Sequence, residues 1–420
     1  MKVLGIVAEY NPFHNGHLYH LQASRAMSGA DCAVAVMSGN FTQRGEPAIV
    51  DKWVRTEMAL ANGVDLVIEL PFAYAMASAE FFAYGAVKLL DSLGAVDMLS
   101  FGSESGDLKS LSEAASILGN EPAEYRLALK NSLSNGKSFP AARQEALSSY
   151  LTGKYGEDHL STSLKSPNNI LGIEYLKALK KLKSGIKPIT LGRSGSDYNS
   201  SNLSGKFSSA TAIRRTICSE PWPEARKHLE ASLPEHTLSL LEREFSLGRG
   251  PVSASDFSTQ LLSVLRKMTI DEIRALPYME KGLENRFKQA AENTGSYAEL
   301  LDAVCTRRYT GTRIQRILFC ILAGLTDRLF EAFNLNGGPS YIRVLGLNNT
   351  GRQLLSTVRD SSSLPVITKA SDFKNSAVSG IASMLQLETA SSDQYVLAFK
   401  TADLRKSGSE FTRNVIYNDI

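Results

Sequence analysis

The residues in this chain best suited to chemistry are His14 and His17, spaced as His-Asn-Gly-His. With 6 histidines and 31 glycines among 420 residues, composition alone gives H-x-G-H at a rate of about 0.006. Two imidazoles one turn apart can donate hydrogen bonds to one phosphate, and Gly16 removes a side chain where a nucleotide must come close. The competing reading is a capping histidine beside a surface one. Farther along, Ser208-Ser209-Ala210-Thr211 reads on its own as a helix cap, with Arg214 one turn into the helix.

The two rings need elements to hold them, and the flanking pattern supplies these. Residues 3–8 form a β-rich apolar run without helical period, residues 11–16 (NPFHNG) are a turn cluster, and residues 17–27 suit a helix. Strand-like runs recur at 33–37, 64–70, 96–101 and 188–191, with helical stretches at 52–62 and 71–90 between them. This alternation predicts an α/β fold with a doubly wound, mostly parallel, Rossmann-like sheet. In such sheets ligands bind outside the carboxyl ends of the strands, where a helix start offers free amides and the positive end of its dipole.

Length predicts more than one domain. Residues 1–220 read as the nucleotide-binding catalytic domain, with a helical insertion at about 103–166; 221–335 as a helical domain; and 336–420 as a small α/β unit. Hydrophobic residues make up 43% and charged residues 21%, far from the signature of disorder. The net charge of +3 excludes coating of nucleic acid by bulk charge, so an RNA partner requires a local basic patch. Arg307, Arg308, Arg313 and Arg316 beside Tyr309 form one, although charged helix faces are usually just solvated. Four cysteines without a CxxC pair, a short opening apolar run and Glu80 inside the most apolar stretch predict a reduced, cytoplasmic protein with no membrane span.

The His14–His17 signature resembles that of the nucleotidyltransferase superfamily shared with class I aminoacyl-tRNA synthetases. Residues 208–214 (SSATAIR) are similar to its second element, which implies hydroxyls and amides holding the β- and γ-phosphates and Arg214 neutralising departing pyrophosphate. A fuller resemblance, across almost the whole chain, is to the bacterial tRNA(Met) cytidine acetate ligases. It is carried by residues 5–17 (GIVAEYNPFHNGH), 37–48 (MSGNFTQRGEPA), 63–71 (GVDLVIELP), 101–104 (FGSE), 167–172 (PNNILG), Arg193 with Asp197-Tyr198, and 305–310 (CTRRYT) with Arg313. Residues 108–159 carry no matching motif.

This resemblance implies an enzyme that makes acetyl-adenylate from acetate and ATP and acetylates N4 of the wobble cytidine of elongator tRNA(Met). His14, His17 and Arg214 are implied as catalytic. ATP is implied along Val7, Ala8, Glu9, Tyr10, Asn11, Pro12, Phe13, His14, Asn15, Gly16, His17, Leu18, Tyr19 and His20, with Gly102, Asn168, Asn169, Arg193, Ser194, Ser209, Thr211 and Arg214. Asn169 has the competing reading of a helix cap. Lys52, Arg44 and Arg55 either steer acetate or phosphates or are solvated helix charges. No acidic cluster compels a protein-held metal, and Mg²⁺ is expected to arrive with ATP. Two rival functions stay open: a small-molecule adenylyltransferase without RNA, and a non-catalytic nucleotide- or RNA-binding regulator.

Overall fold

A computed structural model of the chain describes every residue apart from 157, 159, 162, 163, 165, 193–202, 204, 359, 360, 377, 379 and 420. At its centre is an eight-stranded sheet: β1 (Val3–Ala8), β2 (Cys32–Ser38), β3 (Leu66–Leu70), β4 (Met98–Ser103), β5 (Lys187–Gly192), β6 (Ile342–Asn348), β7 (Val366–Ile367) and β8 (Ile416–Asn418). β5, β4, β1, β2 and β3 lie side by side in that order, all parallel. β6 runs antiparallel to β3, and β7 and β8 each pair parallel with β6.

The strand residues suit a sheet covered on both faces. All of β2 (CAVAVMS) is buried, with Cys32, Val34 and Val36 in one core and Ala33, Ala35 and Met37 in the other, as a period of two requires. On β1, a Cβ at Gly5 would lie 2.9 Å from Leu90 Cδ1, so glycine lets the helix Ala79–Ser92 pack close to the sheet. The chain winds outward from β1 through β2 and β3, then returns to place β4 on the other side of β1. That reversal is a topological switch point, and it opens a crevice at the carboxyl ends of β1 and β4.

Helices Leu108–Asn120, Ala123–Ser134 and Phe139–Tyr155 form the insertion, ahead of the helix Pro167–Leu182 that leads into β5. The helical segment runs from Trp222–Leu229 to Asp327–Leu335. In its helix Gly311–Ala323 the apolar face Ile314, Ile317, Leu318, Ile321 and Leu322 is buried, as its spacing predicts. Among the described residues no helix is long and apolar enough to cross a membrane.

The last segment does not build a sheet of its own: its strands extend the main one through β6. A buried ionic cluster fastens it there. Lys52 Nζ lies 2.5 Å from Glu69 Oε1, 3.2 Å from Glu388 Oε1 and 2.8 Å from Glu410 Oε1, and Arg343 Nη2 lies 3.3 Å from Glu410 Oε2. Glu69 and Arg343 face each other across β3 and β6, while Glu388 sits on the helix Ile381–Val396. Lys52 is therefore neither a solvated charge nor a ligand for acetate; it is 0% exposed. Arg55, also 0% exposed, donates to the carbonyls of Glu9 (2.6 Å), Ser38 (3.1 Å), Gly39 and Val50 (3.2 Å), clamping the ends of β1 and β2.

Candidate active site

The loop after β1 brings the histidines to the switch point. Tyr10 takes a φ of 47°, a left-handed backbone that L-residues rarely adopt, held by the packing of its ring against Phe13 and edge-on to His17. His14 is the N-cap of the helix Asn15–Ser28, and the two rings stack with centroids 3.8 Å apart. His14 Nδ1 accepts from the Gly16 amide (3.0 Å) and His17 Nδ1 from the His14 amide (3.3 Å). A ring nitrogen that accepts an N–H carries no proton of its own, so each imidazole bears its proton on Nε2. His14 thus caps the helix and still lines the cleft beside His17.

The amides at this helix start are not open, contrary to the expectation from sequence. Asn15 N donates to Ser232 O, Gly16 N to His14 Nδ1, and His17 N to His14 O. Side chains and the helix dipole remain available to an anion. Open amides lie instead at the helix Ala210–Ser219: Ser209 Oγ caps it by accepting from Ala212 N (3.0 Å), and no described residue accepts from Ala210 N or Thr211 N.

These elements enclose a cleft of about 430 Å³. Of the residues expected to hold ATP, Val7, Ala8, Glu9, Tyr10, Asn11, His14, Gly16, His17, Tyr19, His20, Gly102, Asn168, Ser209 and Arg214 line it. Pro12, Phe13, Asn15, Leu18, Asn169 and Thr211 do not line it. Phe13 is buried in the core, Asn15 Nδ2 bonds Ala231 O, and Thr211 Oγ1 accepts from Arg44 Nη1 at 3.5 Å. Asn169 lies inside the helix Pro167–Leu182, whose N-cap is Ser166; its Oδ1 accepts from Glu104 N (2.9 Å) and Ser105 N. Arg193 and Ser194 fall outside the described residues.

Arg214 Nη1 donates to Asn11 O (3.0 Å), and its Nη2 lies 3.5 Å from Glu46. Glu104 accepts from Asn168 Nδ2 and from the Asn169 amide, fixing the rim after β4. Sequence reasoning did not assign Gln43, Glu104, Phe101 or Phe207 to the cleft, although they line it. The first three lie in stretches that carry the family resemblance, and Phe207 directly precedes SSATAIR.

A second cavity of about 1310 Å³ meets the first at Gln43 and Leu171, which line both. Its described wall carries nine Lys or Arg side chains against three Glu, with Phe81, Tyr84, Tyr125, Phe139 and Tyr278 among them. Arg44, Arg308, Arg313 and Arg316 line it and Arg307 does not. Arg308 and Arg313 both pair with Glu280, at 2.8 and 2.7 Å, and their guanidiniums lie 5.7 and 5.4 Å from the Tyr309 ring. Arg316 donates to Gln43 O (3.2 Å), linking the basin wall to the cleft. Among the described residues no three His, Cys, Asp or Glu side chains are grouped to hold a metal ion.

Comparison with known proteins agrees with this geometry. Residues 1–410 match the family model described as HIGH Nucleotidyl Transferase. A tRNA(Met) cytidine acetate ligase of Acetivibrio thermocellus is 50% identical over 416 residues, spanning 99% of this chain and 100% of that protein. One from Thermoanaerobacter sp. is 46% identical over the same length and coverage. The crystal structure of Thermotoga maritima TmcAL without ligand superposes with a TM-score of 0.95 at 38% identity, and the form bound with alpha-thio ATP with 0.93, each covering 100% of both chains. The chain therefore belongs to the HIGH nucleotidyl transferase family and, within it, to the tRNA(Met) cytidine acetate ligases.

Proposed function

We propose that this protein makes acetyl-adenylate from acetate and ATP, releases pyrophosphate, and transfers the acetyl group to N4 of the wobble cytidine of elongator tRNA(Met), giving N4-acetylcytidine. The observation that carries the reading is the adjacency of two spaces that share Gln43 and Leu171 in their walls: an imidazole-lined cleft at the switch point and a larger basin rich in cations and aromatic rings. The Thermotoga maritima relative binds alpha-thio ATP, and the curated relatives carry the ligase name.

The chemistry explains why both are needed. Acetate is a poor acyl donor because its departing oxide is strongly basic, and cytosine N4 is a weak nucleophile because its lone pair is delocalised into the ring. Adenylation supplies the leaving group. When acetate attacks the α-phosphorus two anions meet, so the barrier falls mainly through preorganised donors, each worth about 3 to 4 kcal/mol in enzymes where one was removed. Here the donors are the His14 and His17 Nε2–H groups at the α-phosphate. The Ala210 amide, with Arg214, takes the departing pyrophosphate. Mg²⁺ comes with the ATP phosphates.

On the RNA side, Arg308, Arg313 and Arg316, with Arg307 at the exposed turn, take backbone phosphates, and the basin's rings stack on unpaired bases. The wobble base already lies in a loop, so turning it toward the cleft costs only a few kcal/mol. These substrates put the enzyme to work in the cytoplasm. The test is labelled pyrophosphate exchange into ATP with and without acetate, followed by labelled-acetate transfer to elongator tRNA(Met). Acetate-dependent exchange and transfer are expected; exchange that ignores acetate, or none at all, overturns the proposal.

A further inference from the structure

We propose that Glu9 is the base that removes the proton from cytosine N4 during acetyl transfer. The inference rests on the acetate-ligase reading above and assigns a residue to its second half-reaction. Glu9 follows the last residue of β1 and lines the nucleotide cleft. Its Oε1 accepts from the Gln43 amide at 2.8 Å, while the other carboxylate oxygen meets no hydrogen-bond donor among the described residues. Gln43 is one of two residues that line both the cleft and the basin. The carboxylate is therefore held beside a wall that the adenylate cleft shares with the basin proposed to receive RNA.

Glu104, His14, His17 and Arg214, ionisable groups of the same cleft, have tasks that conflict with this one. Glu104 uses both oxygens on Asn168 and Asn169. His14 and His17 carry their protons on Nε2 and can only donate from that atom. Arg214 is a cation.

The groups facing Glu9 come from three elements. Arg44 and Glu46 lie on the loop after β2, Arg214 on the helix Ala210–Ser219, and Arg55 on the helix Lys52–Ala61 beneath its carbonyl. Burial lifts the Glu9 carboxyl above the ordinary range, outweighing the Gln43 amide and the two arginines Arg214 and Arg44, while Glu46 adds to the rise. A carboxylate moved toward neutrality is a stronger base at the pH of the cell.

In the step itself, the N4 lone pair attacks the acetyl carbonyl carbon and the new C–N bond forms. Glu9 takes the N4 proton, the acyl–phosphate C–O bond breaks, and AMP leaves with the electron pair. Glu9 then returns the proton to water, so the transfer releases N-acetylated cytidine, AMP and one proton.

The test is a single-turnover measurement, with enzyme preloaded with labelled acetyl-adenylate and mixed with elongator tRNA(Met). In the wild type the transfer rate should rise with pH through one ionisation lying above the ordinary glutamate value of 4.5. Glu9→Gln should slow transfer about 100-fold or more, erase that ionisation, and depress acetate-dependent pyrophosphate exchange far less. Glu9→Asp, which keeps the carboxylate, should recover part of the rate and the pH limb. Transfer by Glu9→Gln within about threefold of wild type, or equal loss of exchange and transfer with the pH limb intact, overturns the assignment. A wild type that forms no acetyl-adenylate fails earlier and removes the ligase reading, and this inference with it.

Discussion

Replacing Lys52 with methionine tests how the last segment is held. The cluster holds two cations, Lys52 and Arg343, against three carboxylates, Glu69, Glu388 and Glu410. With every group ionised, one negative charge is in excess in a dry site, and a proton on Glu69 removes it. Burial and the neighbouring Glu388 push the Glu69 carboxyl well above the ordinary range, against the pull of Lys52. Burial also works against ionised Glu410, but Lys52 and Arg343 outweigh it and hold its carboxyl below that range. Lys52→Met leaves Glu388 and Glu410 facing Arg343 alone, one buried charge uncompensated, at a cost of about 3–5 kcal/mol. At a urea slope of about 3 kcal/mol/M the unfolding midpoint should fall by about 1 to 2 M. Glu69→Gln, close in shape to the protonated acid, should cost much less. Glu69 binds its proton more tightly folded than unfolded. Its stabilisation is therefore complete below the ordinary glutamate pKa of 4.5 and is lost as pH rises through the folded value, a decline that Glu69→Gln should flatten. A midpoint change below about 0.3 M for Lys52→Met, or equal losses for the two variants, refutes this charge account.

Further outcomes follow from the cleft and the basin. His14→Ala and His17→Ala should each lower acetate-dependent pyrophosphate exchange about 10²- to 10³-fold while circular dichroism stays native; full exchange in either variant removes that ring from the mechanism. Gly16→Ala would place a Cβ 2.8 Å from His14 Cε1, so exchange should fall as the ring is displaced, and unchanged exchange contradicts the placement. Arg308→Ala should weaken tRNA binding and reduce the slope of log affinity against log salt by about 1, measured by filter binding; an unchanged slope counts against a phosphate contact there.

Much of this was legible in the sequence because local patterns dictated it. The runs that became β1 to β5 are short, apolar and separated by helical stretches, and H-x-G-H marked the loop at the switch point. What stayed hidden depends on distant partners. The spacing around Lys52 and Arg55 describes an ordinary helix start, and nothing near them announces that Glu388, 336 positions away, will face Lys52. Nor does a β-rich run at 342–347 reveal that it will join β3 antiparallel rather than begin a sheet of its own. The amides at the first helix start were expected to be open, but Ser232, 217 positions beyond Asn15, and the His14 ring occupy two of them. The proximity of Gln43 to both cavities likewise arises only when the loop after β2 meets the helix bearing Arg316.

The central claim is that acetate becomes bonded to the α-phosphorus of ATP before its acyl group reaches RNA. Acetate labelled with heavy oxygen follows that bond directly, because the attacking oxygen stays on phosphorus when the acyl C–O bond breaks. Mass spectrometry of a completed reaction should find one heavy oxygen in AMP for each cytidine acetylated, with unlabelled pyrophosphate. Heavy oxygen in inorganic phosphate alongside ADP, or AMP without label, would contradict the account.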